Sequence, residues 1–154
     1  MSTHQLKSHE SSLDKLFNEI SILDDGDVTK AHLTRYLCVR TSGFLEVVTR
    51  YLIADLCDGT SPQPIKNFVQ KKSKYITNLN YRKMFDLLSE FNLDWANNFE
   101  KQVTDQQKEA MNSVVANRNN ISHGNQDNTS FRDMKQYYLD IKDVTLILKK
   151  IMKK

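Results

Sequence analysis

The run TDQQKEAMNSVVANRNNISHG, residues 104–124, reads as one helix from cap to stop. Thr104 and Gln107 fit the S/T-x-x-E/Q capping box, which predicts a helix starting at Asp105. Val103, Ala110, Met111, Val114 and Ile121 recur along one stripe, and Gly124 with the polar NQDNTS after it supplies the end. At about 100° per residue, Arg118 falls between the directions of Val114 and Ile121. A guanidinium leaving from a packed face requires a partner, a ligand or a groove open to water. His123 stands five residues on, about 140° round an unbroken helix, so the two side chains converge only where the helix stops. Near the C-cap the imidazole escapes helical direction, and a cation there is favoured by the helix dipole.

The same helical period extends outward through the chain. Leu6, Leu13, Leu16, Phe17, Ile20 and Leu23 mark a first helix, with Asp24-Asp25-Gly26 as its stop and Gly26 expected in the left-handed region. A long second helix is predicted over 29–56, burying Leu33, Leu37, Phe44, Val47, Val48, Tyr51 and Leu52, with Gly43 read as a point of close packing. After the loop CDGTSPQP, Ser61 is the expected cap of a helix that tolerates Pro62 and Pro64 in its first turn and runs to about Tyr75. Asn80 precedes an amphipathic segment through Phe91, and Asp94 reads as the cap of a short connecting helix. Ser130 begins the last helix, which carries Phe131, Met134, Tyr138, Ile141, Thr145 and Leu148. Phe68, Tyr75, Tyr81, Phe85 and Phe91, at helical spacing, are assigned to the core. Tyr137 and Tyr138 are a candidate contact surface.

Composition agrees with this pattern. Of 154 residues 39% are hydrophobic, enough for one core, and four glycines with two prolines are few for a β-rich chain. The fold class is all-α, a bundle of four to five main helices with short additional helices, and residues 1–8 and 150–154 are expected to fray. A net charge of +3 excludes coating of nucleic acid by bulk charge and makes any contact local. KKSK at 71–74 and KKIMKK at 149–154 read as solvated surface, with phosphate contact as their second use. Cys38 and Cys57 share no metal or redox spacing, and His4, His9 and His32 form no ligand set, so no cofactor and no metal are expected. Without an apolar leader or membrane span the expected setting is cytoplasmic, with no membrane partner. Phosphate-binding glycine loops, G-x-S-x-G and H-E-x-x-H are absent from the sequence.

Arg118 and His123 carry the candidate chemistry. Attack of a ribose 2′-hydroxyl on its neighbouring phosphorus requires a base, an acid for the departing 5′-oxygen, and positive charge on the phosphoryl oxygens. Histidine titrates near neutrality, and arginine is a permanent planar cation matched to phosphate. Glu46 in the second helix is a candidate to orient Arg118, although it also forms an i, i+4 pair with Arg50; Asp55 is a further candidate.

The Arg-Asn-x-x-x-His-Gly string at 118–124, followed by a polar loop and a final amphipathic helix, resembles the signature of the HEPN superfamily, in its RiboL-PSP-HEPN or MAE-type branch. The resemblance implies a single HEPN-like helical domain over 1–154 and an endoribonuclease with Arg118 and His123 catalytic and Asn119 supporting. It implies an RNA substrate and a homodimer whose motifs share a cleft, with a cognate antitoxin or regulatory protein, in toxin-antitoxin, stress or antiviral defence. Some branches place a tyrosine two residues after the histidine; Asn125 stands there, so that role does not transfer. The alternative is a non-catalytic helical interaction or RNA-binding module, in which Arg118 holds helices together and His123 only ends one.

Overall fold

The computed structural model describes residues 2–57 and 59–153, which form seven helices and no strand. They are α1 (Thr3–Ser21), α2 (Val28–Ala54), α3 (Gln63–Ser73), α4 (Tyr81–Phe91), α5 (Leu93–Gln102), α6 (Asp105–Ser122) and α7 (Phe131–Ile151). The all-α expectation is met, and the helix boundaries follow local capping chemistry. Asn80, Thr104 and Ser130 accept from the backbone amides of Lys83, Gln107 and Asp133, as their positions predict. Each such cap contributes about 1 kcal/mol.

α7 is the central element, packed against α2, α5 and α6. Its apolar stripe, including Met134, Tyr138, Ile141, Val144 and Leu148, is buried in one contiguous core. Tyr138 stacks on Phe17 of α1 with ring centroids 4.4 Å apart and donates its hydroxyl to Asp14 Oδ1 at 2.5 Å. It is therefore an internal tie between the first and last helices rather than contact surface, and Tyr137 too packs against the core. Buried Asp140 accepts from Gln106 Nε2 at 3.1 Å, joining α7 to α6.

Several expectations are corrected. α1 is regular from Thr3, with a reciprocal capping box between Ser2 and Gln5 and Leu6 only 5% exposed, so apolar packing and capping hold a segment expected to fray. At the other end α7 continues to Ile151 and Met152 is buried; Met1 and Lys154 lie outside the described residues. Gly26 does not take a left-handed conformation, because the α1–α2 connection is a turn closed by Asp27 N–H to Asp24 carbonyl at 2.9 Å. Gly43 is not a close-packing point, since a Cβ added there meets nothing within 4 Å, and nothing else in the fold explains it. Pro62 rather than Ser61 is the N-cap of α3, its carbonyl accepting from both Ile65 and Lys66 at 3.1 Å. Asn92 rather than Asp94 caps α5, which leaves Asp94 in the first turn, where a carboxylate favours the dipole. Tyr81, Phe85 and Phe91 pack against the core as assigned, but Phe68 and Tyr75 do not: they are 68% and 76% exposed.

Candidate active site

The candidate site is the C-terminal end of α6. The first part of this helix is built for packing and buries Ala110, Met111, Val114 and Val115. From Ala116 onward no residue is buried; Arg118 and Asn119 are half-buried and Asn120 is exposed. α6 thus enters the bundle as a core helix and leaves it as a polar one.

The ending follows from Gly124, whose φ of 71° is readily adopted by glycine. Its N–H reaches Ile121 carbonyl at 3.1 Å, and Asn125 N–H reaches Asn120 carbonyl at 2.8 Å, the paired bonds of a Schellman stop. His123 is the C-cap, its own N–H bonded to Asn119 carbonyl at 3.0 Å and its side chain exposed. Beyond it, Asn117 Nδ2 donates to Thr129 Oγ1 at 2.9 Å, and that hydroxyl donates to Asp127 Oδ1 at 2.8 Å. The polar loop is thereby folded back onto the helix turn that carries Arg118.

Arg118 meets its partner requirement with an amide. Its Nη1 donates to Asn78 Oδ1, in the connection between α3 and α4. Asn78 has a φ of 52°, one of the few non-glycine types at ease there. Two residues earlier in that connection, Ile76 carbonyl accepts from Arg50 Nη2 at 2.5 Å, so arginines from α6 and α2 hold one loop. Of the carboxylates proposed to orient Arg118, Glu46 is buried and paired with Arg50 at 4.0 Å, and Asp55 is exposed at the end of α2 rather than on its packed side. Among the described residues Arg118 forms no ion pair. The amide is neutral, and a guanidinium carries five N–H donors in a fork that suits an anion.

The local field reaches into the core. Cys38 on α2 donates its thiol to Val114 carbonyl at 3.5 Å and is buried. Burial pushes this thiol up to about 12; Asp127 reinforces the rise and Arg118 opposes it. Such a thiol is unreactive at neutral pH. No hydrogen bond joins Arg118 to His123 among the described residues, and no group of three or more His, Cys, Asp or Glu there is arranged to hold a metal ion. Nor is any described helix long and apolar enough to cross a membrane. Asn78 escapes a reading of the sequence because its link to Arg118 spans 40 positions; a loop asparagine suited to a left-handed conformation is its only local signal.

A family model described as RiboL-PSP-HEPN matches residues 4–154. No curated protein and no solved structure matches the chain.

Proposed function

The chain belongs to the RiboL-PSP-HEPN family, and from that premise we propose that it is a metal-independent endoribonuclease with Arg118 and His123 as its catalytic pair. The observation that carries this reading is the end of α6. Arg118, which forms no ion pair among the described residues, lies in the last turns of α6, and the exposed His123 is its C-cap, directly before Gly124 stops the helix. Arg118 would neutralise the phosphoryl oxygens as the 2′-hydroxyl attacks and the 5′-oxygen leaves. His123 would accept the 2′ proton or deliver one to the leaving oxygen. The products are a 2′,3′-cyclic phosphate and a 5′-hydroxyl. Exposure of His123 in a single chain fits a homodimer in which two α6 ends face one cleft, with Asn119 lining it. The inferred setting is toxin-antitoxin, stress or antiviral defence, with an antitoxin or regulatory protein as partner.

The test is cleavage of single-stranded RNA by the full chain in EDTA, with end-group analysis of the products. His123→Ala and Arg118→Ala are each expected to lower the rate by at least about 100-fold while the helical circular dichroism signal is kept. Full activity in both variants overturns the proposal. A non-catalytic reading is favoured by one contact, the hydrogen bond from Arg118 to the α3–α4 connection. On that reading Arg118→Ala lowers the melting temperature, and no variant changes cleavage because there is none.

A further inference from the structure

α3 is anomalous in this bundle. It contains no buried residue, yet it is a regular helix of 11 residues, and it exposes Ile65 and Phe68 to solvent, with Tyr75 following just past its end. Apolar and aromatic side chains gathered on one short segment are what a contact surface offers a ligand. The charge around it says which kind. From Gly59 to Phe85 the chain has no aspartate or glutamate, but it has Lys66, Lys71, Lys72, Lys74, Arg82 and Lys83. Six of the 22 lysines and arginines and none of the 19 acids fall there, so this segment carries +6 while the remaining 16 cations and 19 acids sum to −3.

Part of that charge is answered locally, since Lys72 pairs with Glu90 and Arg82 with Asp86 of α4. Among the described residues Lys66, Lys71, Lys74 and Lys83 enter no ion pair. On the helix Phe68 and Lys71 lie three positions apart, hence on neighbouring directions, and Tyr75 follows Lys72 by three. Exposed aromatic side chains are interleaved in the chain with lysines, of which Lys71 and Lys74 enter no ion pair among the described residues, the combination that binds single strands by stacking bases and tracking phosphates. The segment is also tied to the motif helix, because Asn78, in the connection that follows Tyr75, holds Arg118.

We infer that α3 and the α3–α4 connection form the surface on which single-stranded RNA lies, with Phe68 and Tyr75 as stacking platforms and Lys71, Lys74 and Lys83 as phosphate contacts. The inference rests on the ribonuclease reading for its ligand and goes beyond it in assigning where the strand runs. A second copy of the chain is disfavoured as occupant, because two such surfaces would still oppose like charge, each keeping four lysines outside any ion pair among the described residues after the Lys72–Glu90 and Arg82–Asp86 pairs.

The test is binding of a fluorescein-labelled, 2′-O-methylated RNA 12-mer, which lacks the nucleophile, to the intact chain over a range of salt concentrations. Phe68→Ala and Tyr75→Ala are each expected to weaken binding about tenfold, and both side chains are too exposed for their loss to unfold the protein. Lys71→Ala with Lys74→Ala is expected to reduce the slope of log K against log salt by about 0.7 per contact removed. Unchanged affinity and slope in all these variants, or no binding by the parent chain, overturns the inference. So does a change in oligomeric state of Phe68→Ala without loss of RNA affinity. If the parent chain binds with this dependence but never cleaves unmodified RNA, the catalytic proposal fails and the RNA surface stands. If the chain cleaves RNA but its binding ignores these residues, the RNA surface fails and the catalytic proposal stands.

Discussion

α7 and the last two turns of α6 lie in one bundle and are held by different forces. α7 is fixed by burial along its length, from Met134 to Leu148. The end of α6 has no fully buried residue after Val115, only half-buried Ile121 against the core, and is fixed chiefly by hydrogen bonds: the paired bonds at Gly124, the Asn117–Thr129–Asp127 chain, and Arg118 on Asn78. Burial is non-directional and sums over many contacts, so it sets stability. A few directional bonds at a half-exposed helix end contribute little to stability but fix where a guanidinium and an imidazole stand. The two regions should therefore respond separately to substitution.

The largest effect belongs to the core. Leu148→Ala removes a fully buried side chain of α7 and is expected to destabilise the fold by about 3 kcal/mol. For a chain of this length that is a fall of roughly 10 °C in Tm. At a temperature where the variant is still folded, RNA cleavage per folded molecule should match the parent. A specific loss of cleavage there would break the separation between the two regions.

Cys38 lies where the regions meet, bonded to the buried part of α6 and sensing both Arg118 and Asp127. Its folded value lies above the ordinary 9.0. The fold therefore prefers the protonated thiol, with its contribution intact below pH 9 and lost as pH rises through 9 towards 12. By pH 10.5 the loss is about 2 kcal/mol, and Tyr138, raised by burial and its bond to Asp14, adds to the decline above pH 10. Urea titrations between pH 7 and 10.5 should show this fall in the parent. In Cys38→Ala, which starts about 1 kcal/mol less stable, the fall should be shallower. Parallel profiles would mean that the thiol ionises without opposing the fold.

What the sequence discloses divides along the same line. Helix ends are local events, so Asn80, Thr104, Gly124 and Ser130 can each be read from their neighbours. Where two capping residues lie within two positions, as with Ser61 and Pro62 or Asn92 and Asp94, composition does not say which will take the extended backbone conformation, and the expected cap is displaced. Periodicity reports that one face is apolar but not that another element covers it; hence the assignment of Phe68 and Tyr75 to a core that they do not enter. The stripe position of Arg118 shows that it needs a partner. That the partner is an amide 40 positions upstream depends on tertiary packing.

The smallest predicted effect on stability isolates the candidate site. A Cβ on Gly124 meets nothing within 4 Å, so Gly124→Ala incurs only the left-handed backbone penalty, about 1 kcal/mol. Asparagine tolerates that conformation, so Gly124→Asn should lose less. The variants differ chiefly in how well they hold the turn that directs His123. Cleavage should fall several-fold in Gly124→Ala and recover in Gly124→Asn, although thermal melts separate the two by only a few degrees. A loss of about 3 kcal/mol in both, the size of a core truncation, would mean that Gly124 is a packing residue, and the end of α6 would then be held as α7 is. Equal cleavage in both, with the small stability difference present, would mean that His123 does not depend on the helix stop.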